Sequence, residues 1–137
     1  ETLNKQNMCS FGAYEIKKNN LDTEVTLIAS GSEVQIAIEA YKKLKEMNIN
    51  SKVVSMPCQE LFNKQNSEYI EKILEKDSIK ISIEAGSIFG WEKYVGEKGS
   101  SIGMSSFGKS APVKDLYKHF NITSNHVVEL AKKMLGK

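Results

Sequence analysis

Gly31-Ser32-Glu33 stands where a short apolar run gives way to a helical period. Unpaired backbone N–H groups and the positive end of the helix dipole make such a turn a seat for phosphate or a nucleotide. Two features oppose that chemistry. No GxGxxG or P-loop string is present, and Glu33 would repel an anion. Ser32 with Gln35 also forms a capping box, which uses the serine hydroxyl without a ligand. A second candidate, Glu84-Ala85-Gly86, follows another predicted strand, where α/β enzymes place carboxylates. No acid–base partner stands at a telling spacing from Glu84, so a capping or interface role is expected. Ser110 precedes Ala-Pro and lies in no nucleophile elbow. Cys9 and Cys58 form no CxxC unit, and His119 and His126 lack ligand spacing. The residues therefore predict no catalytic group and no metal site. Phe89, Trp91, Tyr94 and Phe107 crowd a glycine-rich stretch and are expected to anchor a domain or subunit contact.

The elements that would carry these residues alternate. Gly12–Ile16 reads as a first strand at a sheet edge, closed by the turn Asn19-Asn20. Val25–Ala29 is a buried strand. Val34, Ala37, Ile38, Tyr41 and Leu44 mark one face of a helix that runs to about Met47 and is ended by Asn48 and Asn50. Lys52–Met56 is a strand stopped by Pro57, which completes a β-α-β unit with a right-handed crossover. Helical pieces are expected at Gln59–Asn63, Ser67–Leu74, Pro112–Phe120 and Thr123–Leu135, and strands at Ile79–Glu84 and Ser101–Met104. This order predicts a Rossmann-like α/β sandwich with a mostly parallel sheet covered on both faces. Residues 1–10 lack a period and read as a linker, leaving 11–137 as the domain.

The 137 residues suffice for one core, and a formal charge of +2 with no arginine argues against nucleic acid. The lysines alternate with glutamates, as on solvated helix faces. No apolar run is long enough to span a membrane, and the first residues are not a signal peptide. A cytoplasmic location with reduced thiols is expected, though a disulfide remains open.

Several strings, in order, resemble the C-terminal domain of transketolases. They are Leu27-Ile28-Ala29-Ser30-Gly31-Ser32-Glu33-Val34, then Val53-Val54-Ser55-Met56-Pro57-Cys58, then Glu84-Ala85-Gly86 with Trp91 and Tyr94-Val95-Gly96. Ile102-Gly103-Met104 then leads into Phe107-Gly108-Lys109-Ser110-Ala111-Pro112, with Phe120 and Ile122-Thr123 behind it. The resemblance implies a five-stranded sheet with one antiparallel edge strand. It implies a parent homodimer that uses thiamine diphosphate and Mg or Ca to move a two-carbon ketol unit between sugar phosphates. In that family the cofactor and metal sit in two preceding domains, so this domain would bind neither and would be inactive alone. Its partners would be those domains and a second subunit, in the cytoplasm or a plastid. Residues 1–10 would close the preceding pyrimidine-binding domain. Asn4-Lys5-Gln6-Asn7 matches a family string whose arginine holds the sugar phosphate, which implies that role for Lys5. Two alternatives stand beside this reading. One is a free-standing anion- or nucleotide-binding module built on Gly31 and Ser32. The other is the same domain from a related thiamine enzyme such as dihydroxyacetone synthase.

Overall fold

A computed structural model describes residues 12–18, 22–31, 33–75, 77–87, 92–96, 99–104 and 123–137, giving backbone alone at 85–87, 92–93 and 103–104. Five strands, β1 (Tyr14–Lys18), β2 (Val25–Ala29), β3 (Ser51–Ser55), β4 (Ile79–Ser87) and β5 (Ser100–Met104), form one sheet in the order β1-β3-β2-β4-β5. β3, β2, β4 and β5 run parallel, and β1 lies antiparallel on β3. The helices are α1 (Glu33–Glu46), α2 (Gln59–Asn63), α3 (Ser67–Leu74), α4 (Glu92–Val95) and α5 (Ser124–Leu135).

Strands covered on both faces must be apolar or internally satisfied throughout, and every residue of β2 and β3 is buried. Alternation then sorts their side chains into two cores. Val25, Leu27, Val53, Ile81 and Ile83 meet Ala37, Ala40, Tyr41 and Leu44 of α1 and Val127, Val128 and Ala131 of α5. Ile28 and Val54 face the other way, toward Phe62 of α2, Ile73 and Leu74 of α3, and Tyr94 of α4. The result is the expected three-layer sandwich with an antiparallel edge.

Local chemistry sets the ends. Asn48 takes a left-handed φ of 61° after α1. The Asn48 N–H donates to Lys45 and the Ile49 N–H to Leu44, while Leu44 and Ile49 share one core. Asparagine tolerates that conformation, and the double bond with its apolar contact is the Schellman stop. Asn66 caps α3 by accepting from the Tyr69 N–H at 2.8 Å, and Thr123 caps α5 by accepting from His126 at 3.2 Å.

The first strand starts two residues later than Gly12–Ile16 suggests. Gly12 has φ +86° and nestles against the backbone of Cys58 and Phe62, so it turns rather than extends. At the other end Lys17 and Lys18 pair with Val53 and Lys52. The helix expected at Pro112–Phe120 lies outside the described residues.

Candidate functional site

The connection after β2 leads to β3 on one side, and the connection after β4 leads to β5 on the other. The carboxyl ends of β2 and β4 therefore flank a topological switch point, where open α/β sheets bind ligands. β2 ends at Ala29, and Ser30 and Gly31 turn the chain into α1. The Glu33 N–H donates to Ser30 and the Val34 N–H to Gly31. Gly31 has φ +58°, a conformation that suits glycine. Across the crevice, the Ser30 hydroxyl donates to Glu84 Oε2 at 2.8 Å. Glu84, which lies within β4, thus ties that strand to the carboxyl end of β2. Glu33 is 4 % exposed, and its carboxylate lies 3.8 Å from where a side chain on Gly31 would begin.

Two carboxylates and a hydroxyl are therefore what the described residues bring to the switch point. The carboxylate of Glu33 complements the helix dipole, and an anion entering here would meet both negative charges. Among the described residues no group of three or more His, Cys, Asp or Glu side chains is placed to hold a metal. Of the expected site residues, Gly31 occupies the turn, while Ser32 and Lys5 lie outside the described residues.

Of the four aromatics expected to anchor a contact, Tyr94 alone is among the described residues. Tyr94 is 5 % exposed, packs 5.9 Å from the Phe62 ring and donates to Asn63 Oδ1 at 2.7 Å. It serves the domain's own second core. Phe89, Trp91 and Phe107 lie outside the described residues, as do Cys9 and His119. Cys58 is a half-buried free thiol at the start of α2.

A polar cluster that sequence reasoning missed lies at the opposite end of the sheet. Lys18, Lys52, Thr26 and Lys80 are successive partners across β1, β3, β2 and β4. The carboxyl end of α3 lies against this row. Lys52 is 1 % exposed, and its Nζ donates to the Lys72 carbonyl at 2.7 Å and to Glu75 Oε1 at 3.3 Å. Glu15 Oε1 is 3.4 Å from the same nitrogen, and Lys18 meets Glu75 Oε1 at 2.9 Å. Thr26 shares a 2.6 Å hydrogen bond with Ser78, and Lys80 donates to the Ser78 carbonyl at 3.0 Å. Lysine amines suit the negative end of a helix. Burial pushes the Lys52 ammonium below its ordinary pKa, against the pull of Glu75 and Glu15. Burial also opposes the charge on Glu75, yet Lys18 and Lys52 together hold that carboxyl below the usual range. The Glu75 hydrogen bond raises Lys18. The two directions differ because Lys52 is sealed from water while its partners are not, and desolvation falls on the sealed ion. Lys52 is invisible as a buried ion in the sequence, since its partners stand far from it in the chain.

Comparison with known proteins bears on this arrangement. Residues 12–123 match the family model described as the transketolase-like TK C-terminal domain. A transketolase of Sinorhizobium medicae (strain WSM419) is 42% identical over 137 residues, covering 99% of this chain and 20% of its own length. Transketolase-1, chloroplastic, of Arabidopsis thaliana is 48% identical over 124 residues, which is 88% of this chain and 17% of that protein. Among solved structures, transketolase from Leishmania mexicana superposes with a TM-score of 0.85 at 41% identity, covering 93% of this chain and 18% of that one. The chain thus spans about a fifth of the length of the curated relatives it matches. With the family model covering most of the chain and the same three-layer sheet recurring in the solved relative, the chain belongs to the transketolase-like C-terminal domain family.

Proposed function

We propose that this domain works as the C-terminal part of a thiamine-diphosphate-dependent transketolase, the enzyme of the pentose phosphate pathway that moves a two-carbon ketol unit from a ketose phosphate to an aldose phosphate. The observation that carries the reading is the 42% identity to a transketolase sustained over 137 residues. The named relatives are transketolases, which favours this enzyme over dihydroxyacetone synthase and over a free-standing nucleotide module. In this reading the cofactor and its Mg or Ca are held by preceding domains, and a second subunit completes the assembly in the cytoplasm or a plastid. Residues 1–10 join the pyrimidine-binding domain to the sandwich, and Lys5 meets the substrate phosphate as a single positive charge. An anion bound at Gly31 and Ser32 is the weaker proposal, because the carboxylates of Glu33 and Glu84 oppose it.

The described residues contribute positioning. The two apolar cores fix the sheet, and the Ser30–Glu84 bond fixes the carboxyl edges of its central strands. The test is a graft. Substituted for the matching segment of the Sinorhizobium medicae transketolase, this domain should support ketol transfer. Lys5→Ala in the graft should raise KM for phosphorylated sugars with little change in kcat. The isolated chain, given thiamine diphosphate, divalent metal and both sugars, should show no turnover. Turnover by the isolated chain, or a folded graft without activity, would refute the proposal.

A further inference from the structure

The edge strand β1 is attached differently from the central strands β2 and β3. β2 and β3 are buried at every position, whereas in β1 only Tyr14 and Ile16 are even half-buried. Ile16 is its one side chain against the larger core. A bulge between Glu15 and Lys17 interrupts its ladder with β3. Its amino end is nonetheless firmly fixed. The Cys58 N–H donates to Gly12 at 3.1 Å, and the Tyr69 hydroxyl donates to the Ala13 carbonyl at 2.7 Å. Around the bulge the attachment changes character. Glu15 reaches Lys52, Lys52 reaches Glu75, and Glu75 reaches Lys18, which returns to β1. Four charges of alternating sign thus close a ring through β1, β3 and the end of α3. Glu75 holds its place in that ring with a left-handed φ of 52°.

We propose that β1 is a releasable strand, hinged at Gly12-Ala13 and latched across its bulge by the Glu15–Lys52–Glu75–Lys18 ring, and that opening this latch frees β1 while the parallel strands stay folded. Little apolar surface holds the strand, so its local opening is governed by backbone pairing and charge rather than by the core. The ring's outer members face water: the side chains of Glu15 and Lys18 are 41% and 39% exposed. Salt therefore reaches the latch although Lys52 is sealed. Release also bares the row of N–H and C=O groups on β3, a template for pairing with another strand. This inference does not depend on the proposed enzyme.

Hydrogen exchange on the full 137-residue chain, read by peptide mass spectrometry, tests it. The double variant Glu15→Gln with Lys18→Gln alters only β1 and leaves the net charge unchanged. Two partly exposed ion pairs predict that peptides covering 14–18 exchange about fivefold faster or more. Peptides from β2 and β4 should exchange as in the unaltered chain. Raising the salt should speed β1 exchange in the unaltered chain toward the variant's rate and leave the variant nearly unmoved. Unchanged β1 exchange, acceleration spread across β2 and β4, or a response indifferent to salt would each overturn the latch.

Discussion

Replacing Gly12 by alanine isolates how tightly the amino end of the domain is fastened. Gly12 sits at φ +86°, and a Cβ there would collide with the Phe62 nitrogen and the Cys58 carbonyl oxygen, with Phe62 Cα at 2.8 Å. The dihedral alone costs about 1–2 kcal/mol for a residue bearing a side chain. Forcing backbone apart to admit the methyl adds about 1–3 kcal/mol, in the range of overpacked sites. If the loop yields instead, the Cys58-to-Gly12 bond weakens, which costs about 1 kcal/mol. Gly12→Ala should therefore destabilise the fold by about 2–5 kcal/mol, a large part of the roughly 5–15 kcal/mol of a typical domain. Urea unfolding followed by tryptophan fluorescence and circular dichroism should show a lower midpoint with an unchanged slope. Gly136→Ala is the control. Gly136 has a similar φ of +74° but nothing within 4 Å, so it should cost only the dihedral term, about 1–2 kcal/mol. Equal losses in the two variants would refute the close-approach argument.

Phe62 is fully buried between Tyr69 and Tyr94, so Phe62→Ala should lower stability by about 3–5 kcal/mol in the same urea experiment. Glu24 is held below the usual carboxylate range by Lys137 and the Asn50 N–H, and Glu75 is also lowered. The unfolded chain takes up these protons first, so the stability they supply is complete above the ordinary carboxylate range and is lost as pH falls through their lowered values. Glu75→Gln should flatten the acid limb of a plot of urea midpoint against pH. Lys52 and Lys80, both lowered by burial, act at the other end: raising pH through their depressed values toward the ordinary lysine range relieves a cost and increases stability. Lys52→Met should erase the Lys52 share of that alkaline gain. Inorganic phosphate titrated into the chain should leave the amide signals of Gly31 and Glu33 unmoved, because two carboxylates guard the turn; saturable shifts there would favour the anion module.

What the sequence disclosed followed from local rules. Val25–Ala29 reads as a buried strand because an uninterrupted apolar run needs cover on both faces, and the Val34 to Leu44 spacing gives α1 its core face. Asn48 was legible as a stop because few residues take the left-handed turn. Lys17 and Lys18 were not legible as strand, since two exposed lysines beside Asn19-Asn20 look like a turn. Only the distant Lys52 and Glu75 give them a reason to extend. The same distance hid the polar row, whose three lysines and one threonine come from four strands, and in which Lys52 answers a helix terminus contributed by a fifth segment. Glu84 was recognised as a residue of interest at a strand end. Its partner Ser30 was not, because the switch point exists only once β2 and β4 are neighbours. The family resemblance rested on strings spread along the chain, so it reached further than any single site could.

The pairing of Tyr14 with Ser55 also has a consequence for biogenesis. As a ribosome releases the polypeptide from its amino end, Tyr14–Lys18 appears well before the segment it must dock on. Through that interval it waits as an orphan, and its glutamate and lysines keep it hydrated and unattractive to neighbouring nascent chains.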